Sequence, residues 1–290
     1  MCKNYNYIIQ KYYIMELNLR KFNMRKIKKG SIIVMIGKRN TGKSFLMKDY
    51  LYYNQDFPTG MIISPTEEGK TNFGHYFPKM FIHYEYTKEL IKKFVKRQKM
   101  ITKKDEKEKL INGGRSNIDP NSILVFDDCA YDDSWTKDKN MKFIFLNGRH
   151  RHITFIFSLQ DPLIIKPVMR NNTDYVFILR DPSKNNRKRI YEHYCSILPT
   201  YDIFSKIMDN CTENYECLVL DRTVQSNKIE DQLFWYKADS HDKFKVGSQV
   251  YWDYSAKHCK DNESEDENEL VDLNDYTKRN SIPLKINKSN

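Results

Sequence analysis

The sequence predicts an α/β fold: a mostly parallel sheet with helices on both faces and a C-terminal edge hairpin. Three observations carry that expectation. Apolar runs bounded by turn residues alternate with helix-period segments, the pattern of repeated βα units. One such run, SIIVMI at 31–36, leads straight through GKRNTGKS at 37–44 into the helix-like FLMKDYLYY at 45–53. Two late apolar runs, ECLVLDR at 216–222 and QLFWYKA at 232–238, flank a polar turn.

The elements follow in chain order. Residues 1–27 are a lead-in, and MCKNYNYIIQKYYI at 1–14 reads as a short added arm or as a start placed ahead of the true one at Met15. It has neither a signal-type apolar core nor a cleavage site. SIIVMI is apolar at nearly every position, which suits a strand covered on both faces. MIIS at 61–64 is a second strand, ended by Pro65, and FIHYEY at 81–86 is a shorter third candidate. Thr87 can cap a helix with Leu90, Ile91, Phe94 and Val95 on one face and Lys92, Lys93, Lys96 and Arg97 on the other. Residues 88–109 hold ten Lys/Arg against four Asp/Glu, a net +6. KKDEKEK at 103–109 has no apolar residue, and NGG at 112–114 breaks the chain. A charged insertion over about 100–118, the most exposed and least ordered internal segment, is therefore expected; it either touches nucleic acid or is simply solvated.

ILVF at 123–126, ITFIFS at 153–158 and YVFIL at 175–179 supply three more strands. Helix-like segments run from Trp135 to Leu146 and over 183–198, the latter with Ile190, Tyr191, Tyr194 and Ile197 as its apolar stripe. From Lys260 the composition turns acidic, with DNESEDENELVD at 261–272. The expected division is a lead-in at 1–27, a single domain over 28–255 and a disordered tail at 256–290.

Composition narrows the class of partner. Hydrophobic residues at 40% and aromatics at 13% describe a globular chain, not a disordered one. A formal net charge of +11 fits a polyanion partner, but also fits a coding sequence rich in Lys, Asn, Ile and Tyr codons; it becomes informative only where Lys and Arg converge on one surface. The cysteines, Cys2, Cys129, Cys195, Cys211, Cys217 and Cys259, form no C-x-x-C pair and have no His at zinc spacing, so ordinary thiols in a reducing compartment are expected. No apolar run approaches the ~18 residues of a membrane span.

Residues Gly37, Lys38, Arg39, Asn40, Thr41, Gly42, Lys43 and Ser44 satisfy G-x-x-x-x-G-K-[ST]. A strand enters this loop and a helix leaves it, as a phosphate cradle requires. The glycines permit φ > 0, so backbone N–H groups can face phosphate oxygens, and the helix adds its positive end. Lys43 is expected at the β- and γ-phosphates of a nucleotide, and the Ser44 hydroxyl on Mg²⁺. ILVFDD at 123–128 then places Asp127 and Asp128 at the end of a buried strand. Asp127 is expected to hold the metal, and Asp128 to orient an attacking water. Ser158 and Gln160 end the next strand, where a polar side chain can feel the γ-phosphate. Ahead of that strand, Arg149 and Arg151 lie beside Gly148 in a basic turn. An Arg there can reach a neighbouring subunit's nucleotide, or the turn can be plain surface; Arg170 is the alternative finger. A GTPase is disfavoured, since neither Asp-x-x-Gly after Asp127 nor Asn-Lys-x-Asp occurs. A small-molecule kinase stays open, because Arg187 and Arg189 could serve a substrate lid.

These motifs resemble the poxvirus-type genome-packaging ATPases of large DNA viruses, in the FtsK/HerA superfamily. The matching stretches are VMIGKRNTGKS, IISPTEEG, ILVFDDC, NGRHRHITFIFSLQD, MRNNTDYVFILRDPSKNNRKRIYEHY and YECLVLDRTVQSNKIEDQLFWYKAD. The likeness covers 28–255, with one insertion near 100–118. It implies a RecA-like core in which another strand separates the phosphate-loop strand from the metal-acid strand. It further implies an ATP-hydrolysing ring that moves double-stranded DNA, without reading bases, into a preformed virion. The setting would be the host cytoplasm, at the viral factory, and the assembling virion; a capsid or virion-membrane docking partner is implied but not identified. By position, Lys43 and Ser44 bind nucleotide and metal, and Asp127 binds Mg²⁺. Asp128 is then the water-polarising acid, Arg149 the finger and Gln160 the sensor. The superfamily more often has Glu where this chain has the shorter Asp128. Two other classes remain beside the translocase: a P-loop phosphotransferase, and a DNA-binding structural protein with a decayed nucleotide site.

Overall fold

Every residue of the strand entering the phosphate loop is at most 4% exposed, so that strand has to lie inside a sheet covered on both faces. The computed structural model describes residues 17–67, 73–129 and 133–259 and shows that arrangement. In chain order the strands are β1 (Arg20–Lys21), β2 (Ile32–Ile36), β3 (Gly60–Ile63), β4 (Ile82–His83), β5 (Ser122–Phe126), β6 (Ile153–Leu159), β7 (Tyr175–Ile178), β8 (Glu216–Asp221) and β9 (Leu233–Lys237). The helices are α1 (Lys43–Tyr53), α2 (Lys88–Ile111), α3 (Lys139–Asn147), α4 (Pro167–Arg170), α5 (Lys184–Tyr194), α6 (Tyr201–Cys211), α7 (Ile229–Gln232) and α8 (Gln249–His258).

The strands form one sheet in the order β1-β9-β8-β7-β2-β6-β5-β3-β4. β2 pairs in parallel with β6 and β7, and β5 in parallel with β6 and β3. Only β8 runs against its neighbours β7 and β9. Alternation along β2 shows the two-sided cover: Ile32, Val34 and Ile36 face one apolar layer, Ile33 and Met35 the other. Burying an Ile, Val or Met side chain contributes about 1.5–3 kcal/mol, so this strand is fixed in register from both sides. The first layer packs α2, α3, α5 and α6, through residues such as Phe94, Ile144, Ile190 and Phe204. The second packs α1, through Leu46, Met47, Tyr50 and Leu51, with Phe57, Phe77, Phe244 and Val246 around it.

Several expectations are met closely. Thr87 caps α2, accepting from the Leu90 N–H at 3.2 Å, and Ile91, Phe94 and Val95 are buried while Lys92, Lys93 and Lys96 are exposed. Others are corrected. The charged stretch expected to be the least ordered is helical to Ile111. Lys and Glu are good helix formers, and Lys109 pairs with Asp105 at 2.7 Å. Buried Gln98 also anchors the helix mid-length, donating to the carbonyls of Pro120 and Arg151. The segment from Trp135 is broken by Asp138, which ends a 3₁₀ turn and caps α3 through the Asn140 N–H. FIHYEY yields only the two residues of β4. The late hairpin is antiparallel as expected but is not the edge: β1 pairs in parallel with β9. Phe22, Met24 and Ile27, in the lead-in, are buried in the layer around α1. Residues 1–14 and the acidic run at 261–272 lie outside the described residues.

Candidate functional site: a phosphate loop and a strand-end carboxylate

β2 ends at Ile36 and the chain turns at Gly37, whose N–H still bonds the Leu159 carbonyl of β6 at 3.0 Å. A Cβ on Gly37 would lie 2.7 Å from Thr41 Oγ1 and 2.9 Å from Leu179 Cβ, so the tight turn excludes any other residue. Asn40 and Gly42 take φ of 59° and 99°, the left-handed conformations that curl a loop inward. Thr41 Oγ1 donates to the Lys38 carbonyl at 2.8 Å. Lys43, the first residue of α1, is 7% exposed, and its ammonium spans the loop mouth to the carbonyls of Gly37 (2.9 Å) and Lys38 (2.7 Å).

The carboxylates arrive from β5, two strands away. Ser44 Oγ donates to Asp127 Oδ2 at 2.6 Å, across the end of the intervening β6. β6 contributes the remaining groups. Ser158 Oγ donates to Asp127 Oδ1 at 3.2 Å and accepts from the Asp128 N–H at 2.9 Å. Gln160 Nε2 donates to Asp128 Oδ1. Asp128 itself takes φ 53°, a conformation uncommon for a residue with a Cβ and one that concentrates at functional sites.

Burial pushes the Asp127 carboxyl above the usual carboxylate range; hydrogen bonds from Ser44 and Ser158 oppose it, Asp128 adds to it and Lys43 opposes it. Burial likewise pushes the Lys43 ammonium below the usual lysine range. There Asp128 and Asp127 oppose the shift, and Arg39 and Lys38 add to it. Ser44 and Asp127 together present two hard oxygen donors, which fit Mg²⁺ better than a soft metal. Among the described residues no group of three His, Cys, Asp or Glu could hold a metal by itself. Mg²⁺ is commonly bound by one or two carboxylates together with substrate phosphates.

Arg149 stands elsewhere. It opens the turn before β6, at the sheet end opposite the phosphate loop, with β6's seven residues between. Its Nη2 pairs with Asp174 Oδ1 at 2.5 Å, and Asp174 Oδ2 accepts the Ile32 N–H at 2.8 Å. Arg170 is 8% exposed and donates to the Ile165 carbonyl at 2.6 Å, an interior structural role. Arg187 is held by the Asp181 carbonyl and Asp209, which leaves less of it for a substrate lid. Asp174, Phe45 and Tyr215 fall within the stretches MRNNTDYVFIL, FLMKDYLYY and YECLVLDR, but nothing in those stretches marks them as site residues; Phe45 and Tyr215 border Gly42.

Fold and site together define a RecA-like P-loop NTPase core. No protein-family model matches the chain. It is 35% identical over 277 residues to uncharacterised protein L437 of Acanthamoeba polyphaga mimivirus, covering 94% of this chain and 96% of that one. It is 35% identical over 232 residues to uncharacterised protein 075L of Invertebrate iridescent virus 6, covering 79% and 86%. The genome packaging NTPase B204 of Sulfolobus turreted icosahedral virus 2, solved with AMP, superposes with a TM-score of 0.52 at 15% identity, over 74% of this chain and 100% of that one. The chain belongs to the family of L437 and 075L, proteins of a mimivirus and an iridescent virus, and shares its fold with B204.

Ser158 bonds both members of the Asp pair, so Ser158→Ala strands a buried carboxylate oxygen and a backbone N–H at once. Unfolding free energy should fall by about 1–3 kcal/mol in urea titration. An unchanged midpoint would mean that neither bond matters to stability.

Proposed function

We propose that this chain is an ATP-hydrolysing translocase that moves double-stranded DNA into the virion, with Mg²⁺ as its metal. The carrying observation is the convergence of Lys43, Ser44, Asp127, Asp128 and Gln160 at one end of the sheet, joined by the hydrogen bonds from Ser44 to Asp127 and from Gln160 to Asp128. The motif resemblance and the fold of B204 support the packaging role, and the poxvirus-type branch is the finer part of this reading. The ATPase domain spans 28–255 together with the end of the lead-in, whose β1 pairs with β9 and whose Phe22, Met24 and Ile27 lie in the same core.

Backbone N–H groups of 37–42 and the start of α1 bind the β- and γ-phosphates, and Lys43 neutralises them. Ser44 and Asp127 hold Mg²⁺, which when bound offsets charge on the phosphate oxygens. Asp128 orients the water that attacks the γ-phosphorus, and Gln160, fixed on Asp128, reports whether the γ-phosphate is present. Arg149 acts across a subunit seam, since its own loop lies at the far end of β6. DNA is gripped through its phosphates by Lys and Arg, because packaging must ignore sequence. The assembly is a homo-oligomeric ring in the host cytoplasm and at the assembling virion, docked on a capsid or membrane partner. Among the described residues no helix is long and apolar enough to cross a membrane.

ATPase assays with and without duplex DNA, alongside mass by light scattering, test the reading. Duplex stimulation with a ring-sized mass supports it; turnover of a small acceptor by a DNA-indifferent small oligomer would replace it with a phosphotransferase.

Lys43→Ala should abolish hydrolysis. Asp128→Asn should bind Mg·ATP yet lower turnover by at least about 100-fold, on the scale of lost positioning and proton-transfer groups. Normal turnover in that variant removes Asp128 from the mechanism.

Mixing Arg149→Ala with Lys43→Ala subunits should restore activity at some interfaces, seen as a maximum at intermediate ratios. Flat inactivity at every ratio counts against a finger in trans.

A further inference from the structure

Beside the phosphate loop lies a cavity of about 460 Å³ that no motif marks. Gly42 lines it and also belongs to the loop. Its other walls come from Phe45, Leu179, Tyr215 and Ala238. Leu179 follows β7, Tyr215 precedes the antiparallel β8, and Ala238 follows β9, so all three lie at the sheet end where the loop opens. The volume falls in the range of small-ligand sites, about 300–1,000 Å³.

The walls are mostly carbon. Phe45 and Tyr215 are 44% and 69% exposed, large aromatic surface left facing water at the cavity. Tyr215 is also held in an uncommon backbone state: Asn214 and Tyr215 take φ of 51° and 64° in succession. A Cβ on Gly42 would lie 3.5 Å from Tyr215 Cδ1, so the ring stands directly against the loop. The polar groups among the lining side chains are those of Lys237 and Ser240, the Tyr215 hydroxyl and the weakly polar thiol of buried Cys217.

We infer that this cavity takes the purine base of the nucleotide whose phosphates occupy 37–44, with Tyr215 and Phe45 as stacking walls, and that it accepts adenine and guanine nearly alike. This rests on the nucleotide reading above. A ligand whose phosphates lie on the loop has its flat, apolar portion one ribose away, and the cavity is the apolar surface adjoining Gly42. Aromatic walls grip the faces of a base, which every base has. Strong discrimination needs buried polar groups matched to the base edge, so that the wrong edge leaves them unpaired. These few polar groups among carbon walls give little of that. The substrate class is therefore purine nucleoside triphosphate, selected by its phosphates more than by its base.

Calorimetry on the full chain with Mg²⁺ tests this, using the β,γ-methylene analogues of ATP and GTP and inorganic tripolyphosphate. The two analogues should bind within about tenfold of each other. Tyr215→Ala should weaken both by about tenfold or more, the scale of one lost stacking contact, and leave tripolyphosphate unchanged. Tyr215→Phe should bind as the parent does. A Tyr215→Ala chain that binds both analogues normally overturns the inference, as does a preference beyond about 100-fold for one base. If the parent binds tripolyphosphate but gains nothing from the nucleoside, the inference fails while the phosphate site stands. If it binds neither, the nucleotide reading fails and this one with it.

Discussion

A single hydrogen bond, Ser44 Oγ to Asp127 Oδ2 at 2.6 Å, depends on the whole order of the sheet. The two residues belong to elements on either side of β6. They can meet only where β6 ends, and only if β2, β6 and β5 are parallel and in register there. The pairings supply that register: Ile36 lies opposite Leu159, and Phe126 opposite Phe157. A slip of one residue in either pair would turn the whole strand over, exchanging its two apolar layers. Packing on both faces thus holds the polar contact in place.

The same burial sets the electrostatics. Asp127 is 2% exposed and Lys43 7%, and desolvation drives each toward its neutral form. Each also draws the other back toward charge. Neither shift would be expected of the residue alone at a surface. A carboxylate and an ammonium held together in a partly dehydrated site form a preorganised field, which acts on a phosphate more strongly than the same groups would in water. On the proposed reading, that is what the fold supplies to the chemistry.

How much of this was legible in the sequence depended on whether the signal was local. Residues 37–44 announce themselves because the loop, its strand and its helix are contiguous. Asp127 was legible because four apolar residues precede it. Gln160 was legible as a position, but its contact with Asp128 is made between strands and leaves no mark along the chain. β1 is two residues long and pairs with a strand over 200 residues later, below any periodicity signal. α6 had a signal that went unused: Thr200 accepts from the Ile203 N–H, and Phe204 and Met208 sit one turn apart. KKDEKEK was misread because it lacks apolar period, though its residues favour helix and Asp105 is drawn inward to pair with Lys109. Tyr215 opens the stretch YECLVLDR, but an aromatic in the turn before a strand carries no signature that separates a ligand wall from a surface ring.

The two ends of the sheet bear on how such a core could act in a ring. β6 has seven residues, so at roughly 3.3 Å per residue the Arg149 turn and the phosphate loop are separated by about 23 Å. An Arg side chain cannot span that, which restricts any contact between Arg149 and a triphosphate to a neighbouring subunit. Arg149 is meanwhile paired with Asp174, and Asp174 also holds the N–H of Ile32, the first residue of β2. The far end of β2 is Ile36, where the loop begins. On the proposed reading, drawing Arg149 toward a neighbour's phosphates costs the Asp174 pair and leaves that carboxylate with the β2 amide. On that reading the seam and the chain's own loop would lie at the two ends of one fully buried strand, joined through Asp174 to Ile32, the residue from which the strand starts.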